Sequence, residues 1–100
     1  MAQIVKFDTA DAVDNLEFTV NDNEYITLRA SGFTGAEYLD ILETTDDGAS
    51  FHLSYQNGIP MRLSATNTSV GVVLPGLYAL DKAGTIAAVR CVVEKRGFIG

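Results

Sequence analysis

The stretch FHLSYQNGIPMRLS, residues 51–64, decides the fold. Phe51, Leu53 and Tyr55 alternate with His52 and Ser54, and Ile59, Met61 and Leu63 alternate with Pro60 and Arg62. Successive side chains of a strand point to opposite sides of the pleat, so a period of two marks strands with one buried face. Between the two runs lies Gln56-Asn57-Gly58, and Asn-Gly tolerates the positive φ that a tight hairpin needs. The stretch reads as two antiparallel strands, with Phe51 and Tyr55 on the inner face. Helical spacing explains neither run.

The same alternation recurs outward from it, in Ile26, Leu28 and Ala30 against Thr27 and Arg29, in Val70, Val72 and Leu74, and in Val89, Cys91 and Val93 against Arg90 and Glu94. Turn-forming clusters separate the runs: NDNE at 21–24, DDG at 46–48, ATN at 65–67, LPG at 74–76 and KAG at 82–84. Pro75-Gly76 fits the centre of a type II turn, Pro fixing φ and Gly supplying the left-handed position. The spacing predicts strands near 3–7, 16–21, 24–31, 37–44, 50–56, 59–64, 68–74, 77–81 and 85–94, with sequential strands as antiparallel neighbours. Residues 8–15, DTADAVDN, are expected to form a loop. The fold class is all-β, an antiparallel sandwich or small barrel of about eight short strands, and residues 1–100 make one domain.

Composition agrees with that reading: 47% of the 100 residues are apolar and 20% charged, which is globular. One cysteine, Cys91, excludes an intrachain disulfide and a Cys-rich zinc module, and its apolar neighbours make it a small buried hydrophobe. There is no apolar run of membrane-spanning length, and MAQIVKF lacks the parts of a signal peptide, so synthesis in the cytoplasm is expected. The net charge is −6, which repels phosphate and argues against nucleic acid. Six acids and no base lie between Phe7 and Leu28, whereas Lys82, Arg90, Lys95 and Arg96 face only Glu94 between residues 82 and 96. This asymmetry suggests an acidic edge that meets a basic edge of another copy or of a larger scaffold; its simpler use is solubility.

Little in the chain looks like catalysis, and no enzyme activity is expected. The lone histidine, His52, takes an outward strand position, no G-x-S-x-G turn is present, and Cys91 lies mid-strand on the core side. Asp46 and Asp47 are adjacent and do not face each other as a glycosidase pair must. The acidic loops lack the ligand spacing of an EF-hand, and a weak surface calcium site at Asp46–Asp47 or at Asp22–Glu24 stays as an open alternative. No cofactor is expected. Scattered aromatics keep a carbohydrate-binding sheet open as an alternative, against which the absence of tryptophan counts.

Thr44, Asp46, Gly48 and Phe51 are spaced T-x-D-x-G-x-x-F. This is similar to the Asp-box hairpin, S/T-x-D-x-G-x-x-W/F, of sialidase-like propellers and many unrelated β-proteins. There the box is structural and lies away from the active site. The resemblance implies that Asp46 ties the turn, Gly48 takes positive φ and Phe51 enters the core. A single copy in 100 residues does not make a propeller.

A broader likeness spans residues 30–95. Gly35-Ala36 before a strand, Asp47-Gly48 in a hairpin and Gly76-Leu77-Tyr78 opening a return strand resemble small bacteriophage virion proteins of about this length. The resemblance implies a non-enzymatic structural protein that decorates or stabilises a phage capsid, or a head or tail lattice. Its expected partner is a major capsid or other virion protein, with homo-oligomerisation besides, no nucleic acid and no membrane. Its expected place is the virion, after synthesis in the host cytoplasm. The ends MAQIVKF and KRGFIG are apolar where exposed ends are ordinarily polar, so Ile4, Phe7, Arg96, Phe98 and Ile99 are the candidate partner contacts. The alternative function is a carbohydrate or cell-surface binding module.

Overall fold

A computed structural model describes residues 3–97. Phe98 and Ile99, two of the candidate contacts, lie outside the described residues. The described chain is all-β: β1 (Gln3–Thr9), β2 (Val13–Val20), β3 (Glu24–Ser31), β4 (Tyr38–Glu43), β5 (His52–Leu53), β6 (Tyr55–Gln56), β7 (Ile59–Pro60), β8 (Arg62–Ser64), β9 (Ser69–Val72), β10 (Gly76–Lys82) and β11 (Val89–Gly97). One sheet has the order β1-β11-β3-β9; the second runs β2-β10-β4, with β5 and β8 sharing the far edge of β4. Every pairing is antiparallel.

Alternation builds the core. Ile26, Leu28 and Ala30 of β3, Val89, Cys91 and Val93 of β11 and Val72 of β9 meet Phe18 and Val20 of β2, Tyr78 and Leu80 of β10, Leu39 and Ile41 of β4, and Leu63 of β8 in one buried cluster. Each of the larger side chains among them contributes about 1.5–3 kcal/mol by leaving water, which is why these positions dictate the register. Phe18 and Tyr78 stack between adjacent strands with ring centroids 5.5 Å apart.

Sequential strands are mostly not neighbours. The connections 10–12, 21–23, 32–37, 73–75 and 83–88 each carry the chain from one sheet to the other, so β11 comes to lie between β1 and β3. A turn cluster specifies a reversal, not the sheet that the next strand joins. Pro75-Gly76 is not a type II turn: Gly76 has φ 153°, not the value near +80° that such a turn needs, and already pairs with Val20 as the first residue of β10. Residues 8–15 are largely strand, with only 10–12 left as a loop, and the last strand starts at Val89, not near 85.

The stretch at 51–64 departs most. Both expected strands are split, at Ser54 and at Met61. The Ile41 N–H donates to the Met61 carbonyl, the Ser54 N–H to the Ile41 carbonyl and the Met61 N–H to the Ser54 carbonyl, at 3.0, 3.0 and 2.8 Å. The chain thus leaves the edge of β4 at Ser54, makes the β6-β7 hairpin and returns at Met61. Asn57 and Gly58 form its tip with φ 54° and 78°, as a two-residue type I′ turn requires. Beyond the split the alternation changes phase. Ser54 is buried while Tyr55 and Ile59 are 55% and 68% exposed, which corrects their assignment to the inner face.

The register defines two poles. Gly97 lies opposite Glu24, Val72 opposite Ile26, Gly76 opposite Val20 and Glu43 opposite Tyr78, so the end of β11, the segment 73–75, the turn 21–23 and the loop 44–51 share one pole. The loops 10–12, 32–37, 65–68 and 83–88 share the other. There Lys82 is buried, its ammonium donating to the Asp11 and Ala83 carbonyls and to Thr85 Oγ1 at 2.7, 3.1 and 3.3 Å. Glu37 accepts from the Thr34 and Ile86 N–H groups at 2.8 and 2.9 Å, tying two loops of that pole together.

Candidate functional site

The loop 44–51 begins where β4 ends, and its polar side chains close on themselves. Asp46 Oδ1 accepts from the Ser50 N–H at 2.9 Å and from Thr44 Oγ1 at 2.7 Å, while Oδ2 accepts from Ser50 Oγ at 2.6 Å. Thr44 Oγ1 in turn accepts from the Gly48 N–H at 3.0 Å. Gly48 has φ 91°, and a β-carbon there would meet Leu77 Cδ2 at 3.1 Å, so the loop lies over the outer face of β10. Phe51 is half-buried just before β5 and does not join the core cluster. The aromatic of this loop therefore packs at the periphery, a difference from what the Asp-box resemblance implies.

Hydrogen bonds from Ser50 first, then from Thr44, hold the Asp46 carboxyl down at about 2, below its ordinary 3.8. A carboxyl depressed on folding contributes stability above its unfolded value and loses it as pH falls through the folded one. Asp46→Ala is expected to lower the melting temperature at pH 7 by a few degrees, with the gap to wild type closing as the pH falls from about 4 to about 2. Thermal melts of both proteins at these pH values check it; a gap independent of pH would contradict the ionic share.

Between this loop's base, the β6-β7 hairpin and the segment 72–78 lies a cleft of about 560 Å³. Its buried lining comes from Met61, Val72 and Tyr78, and its rim from Tyr55, Val73 and Leu74, of which Val73 and Leu74 are 50% and 70% exposed. Leu74 was expected on the inner face with Val70 and Val72; it lies beyond the end of β9, on the crossing between sheets. Two bonds set the rim: Tyr78 Oη donates to the Leu74 carbonyl at 2.8 Å, and Gln56 Nε2 donates to the Gly71 carbonyl at 3.1 Å, holding the hairpin against β9. Burial, and then the Glu43 carboxylate, push the Tyr78 phenol up, which keeps it a donor. Chemically the cleft offers mixed surface: apolar side chains from Met61 and 72–74, polar ones from Thr44, Ser54, Gln56 and Asn57, and one carboxylate, Glu43. The sequence signal for it was Val72-Val73-Leu74 before Pro75: three consecutive apolar residues cannot all face one side of a strand.

The remaining candidates are scattered. Ile4 is half-exposed on the edge strand β1, whereas Phe7 is partly buried and packs against the core cluster. The Arg96 backbone pairs with Tyr25 near the end of β11. His52 is on the surface with Nε2 3.7 Å from Glu43 Oε2, its cross-strand partner. Cys91 is fully buried, and its thiol is pushed up to about 12 by that burial. Among the described residues no group of three or more His, Cys, Asp or Glu is placed to hold a metal.

Two of the four bases of the basic stretch are engaged within the molecule. Lys82 is buried, and Arg90 Nη1 lies 3.2 Å from Asp8 Oδ2 on the neighbouring strand, so part of the charge asymmetry is used within one molecule. On the outer face of β10, burial first, then Asp14 and Asp40, push the Asp81 carboxyl up, while Asp40 itself is 2.6 Å from Arg62. Comparison with family models, curated proteins and solved structures returns no match.

Proposed function

We propose that the protein is a non-enzymatic structural component of a virion, docking on a capsid or on a head or tail lattice through the pole that carries the cleft. The observation that carries the docking is that three of the eight exposed large apolar side chains among the described residues, Tyr55, Val73 and Leu74, group around one cleft, whereas Ile4, Val5, Tyr38, Ile59 and Ile86 lie outside it. Grouped exposed apolar residues with a polar surround mark contact sites, whereas scattered ones are ordinary. The virion setting is supported by the resemblance of residues 30–95 to small phage structural proteins.

The carbohydrate or surface-ligand reading has one observation in its favour, the exposed Tyr55 ring at the cleft. Tyr38 adds little to it, because the Arg62 guanidinium sits 4.2 Å from its ring centre and occupies that face. Purified particles from the source provide the test. The chain is expected to co-purify with them in fixed ratio, and a Val73→Glu variant to stay in the soluble fraction. A chain that leaves the particles at the first wash, yet binds immobilised glycans in a Tyr55-dependent way, overturns the virion reading in favour of the alternative.

A further inference from the structure

We infer that Asn57, at the tip of the β6-β7 hairpin, is a site of spontaneous covalent modification, which converts it to aspartate and isoaspartate and places a new carboxylate on the cleft wall. The chemistry is intramolecular. The Gly58 backbone nitrogen attacks Cγ of the Asn57 carboxamide; the new N–Cγ bond closes a succinimide, and the side-chain nitrogen leaves as ammonia with the proton that the Gly58 nitrogen gives up. Water then opens the ring. Cleaving the N–Cγ bond gives aspartate, whereas cleaving the original peptide bond gives isoaspartate, whose main chain runs through Cβ and Cγ. Only water is consumed, and nothing is oxidised or reduced.

Three features of the tip favour the attack. Asn57 and Gly58 are both exposed, and among the described residues neither the Asn57 carboxamide nor the Gly58 N–H has a hydrogen-bond partner, because the ladder ends at Gln56 and Ile59. Nothing lies within 4 Å of where a β-carbon on Gly58 would stand, so no side chain shields the attacking nitrogen. Ring closure also needs the Asn57 main chain to rotate out of its turn conformation, and this hairpin pairs only two residues on each side. Such a short hairpin opens locally at little cost. Its side-chain tie to β9 is the Gln56 bond to the Gly71 carbonyl at 3.1 Å.

The other asparagines lack at least one of these features. Asn67 Nδ2 donates to the Arg62 carbonyl at 2.6 Å, and Asn15, Asn21 and Asn23 precede Leu16, Asp22 and Glu24, whose side chains crowd the nitrogen. Asp47-Gly48 has the glycine, but that N–H donates to Thr44 Oγ1 at 3.0 Å and an ionised carboxylate is a poor electrophile. The consequence falls on the cleft, which Asn57 lines together with Glu43 and Tyr55. Either product adds negative charge to a chain that already carries −6. The longer main chain of isoaspartate also no longer fits a two-residue tip closed by φ of 54° and 78°, which displaces Tyr55 and Gln56. On the docking reading of the cleft, on which this last step alone rests, modified copies dock less.

Peptide mapping by mass spectrometry of the full chain, aged in mildly alkaline buffer, tests the inference, with chromatography separating the aspartate and isoaspartate forms. Residue 57 is expected to convert at least roughly tenfold faster than Asn15, Asn21, Asn23 or Asn67, and faster still as pH rises. Gln56→Ala, an exposed change whose folding a thermal melt verifies, is expected to speed the conversion by roughly twofold or more by releasing the hairpin from β9. Asn57→Gln, which would have to close a larger ring, is expected to stay intact. An Asn57 that survives while another asparagine converts, or that converts no faster than the rest, overturns the inference; a Gln56→Ala rate equal to wild type overturns the role given to hairpin opening. Docking is read separately, by offering fresh and aged chain to particles. Depletion of the converted form from the bound fraction supports the last step, and equal binding by fully converted chain sinks the cleft as docking surface while the modification stands.

Discussion

Gly32→Ala is expected to lower the unfolding free energy by about 2–6 kcal/mol, a large share of the roughly 5–15 kcal/mol that holds a domain of this size. Two separate costs add. Gly32 has φ 107°, where a residue with a β-carbon is strained by about 1–3 kcal/mol. A β-carbon there would also stand 2.3 Å from the Ala88 carbonyl oxygen and 3.2 Å from Val89 Cα, so the backbone where 83–88 enters β11 has to move, at about 1–3 kcal/mol more. A melting temperature lower by roughly 15–30 °C follows. Gly35→Ala is the control: its φ is 61° and nothing lies within 4 Å of an added β-carbon, so only a strain of about 1 kcal/mol is expected there. Equal shifts for the two variants would show that the close approach of 32 and 88 is not what Gly32 serves.

That approach illustrates what the sequence does and does not carry. The strand 24–31 is legible to the residue because Ile26, Leu28 and Ala30 face a core and Thr27 and Arg29 do not, and nothing competes with that alternation. The pairing of β3 with β11 was not legible. It joins residues 59 to 73 positions apart, from Arg90 with Ser31 to Gly97 with Glu24, and no local turn specifies it. The cleft was half legible. Asn57-Gly58 announced a hairpin, but whether it continues the sheet or projects from it depends on Ser54 and Met61 both bonding to Ile41, a contact between strands that periodicity cannot see. The phase change at Ser54 is what exposes Tyr55, and with it one wall of the candidate site. The Thr44–Ser50 loop stands at the opposite extreme: its bonds span at most four residues, so spacing alone pointed to the group that ties it.

Lys82 is where charge counting misled most, and its replacement tests why. Read along the chain it belongs to a basic stretch; in the fold it is buried and bonded to three neutral oxygens between two loops. Hydrogen bonds from a charged donor contribute about 1.5–3 kcal/mol each, whereas burying an ion costs several kcal/mol. The two nearly cancel, and burial holds the ammonium below its ordinary value despite the nearby Glu37 and Asp11 carboxylates. Lys82→Met, which keeps the stem and loses the charge, is therefore expected to cost only about 1–2 kcal/mol. Lys82→Ala also removes the buried stem on the strand position opposite Leu39 and is expected to cost about 2–4 kcal/mol. The pH dependence has a definite sign. Between the depressed native value and about 10.4 the unfolded chain holds a proton that the folded chain has released, so this group makes stability rise with pH in that window. The Cys91 thiol and the Tyr78 phenol, both pushed up on folding, act in the opposite sense at alkaline pH, so the lysine's share is read as a difference: in denaturant unfolding from pH 7 to pH 10 the stability of wild type minus that of Lys82→Met is expected to grow. A methionine variant as damaged as the alanine one would mean that the three bonds outweigh the burial of the charge.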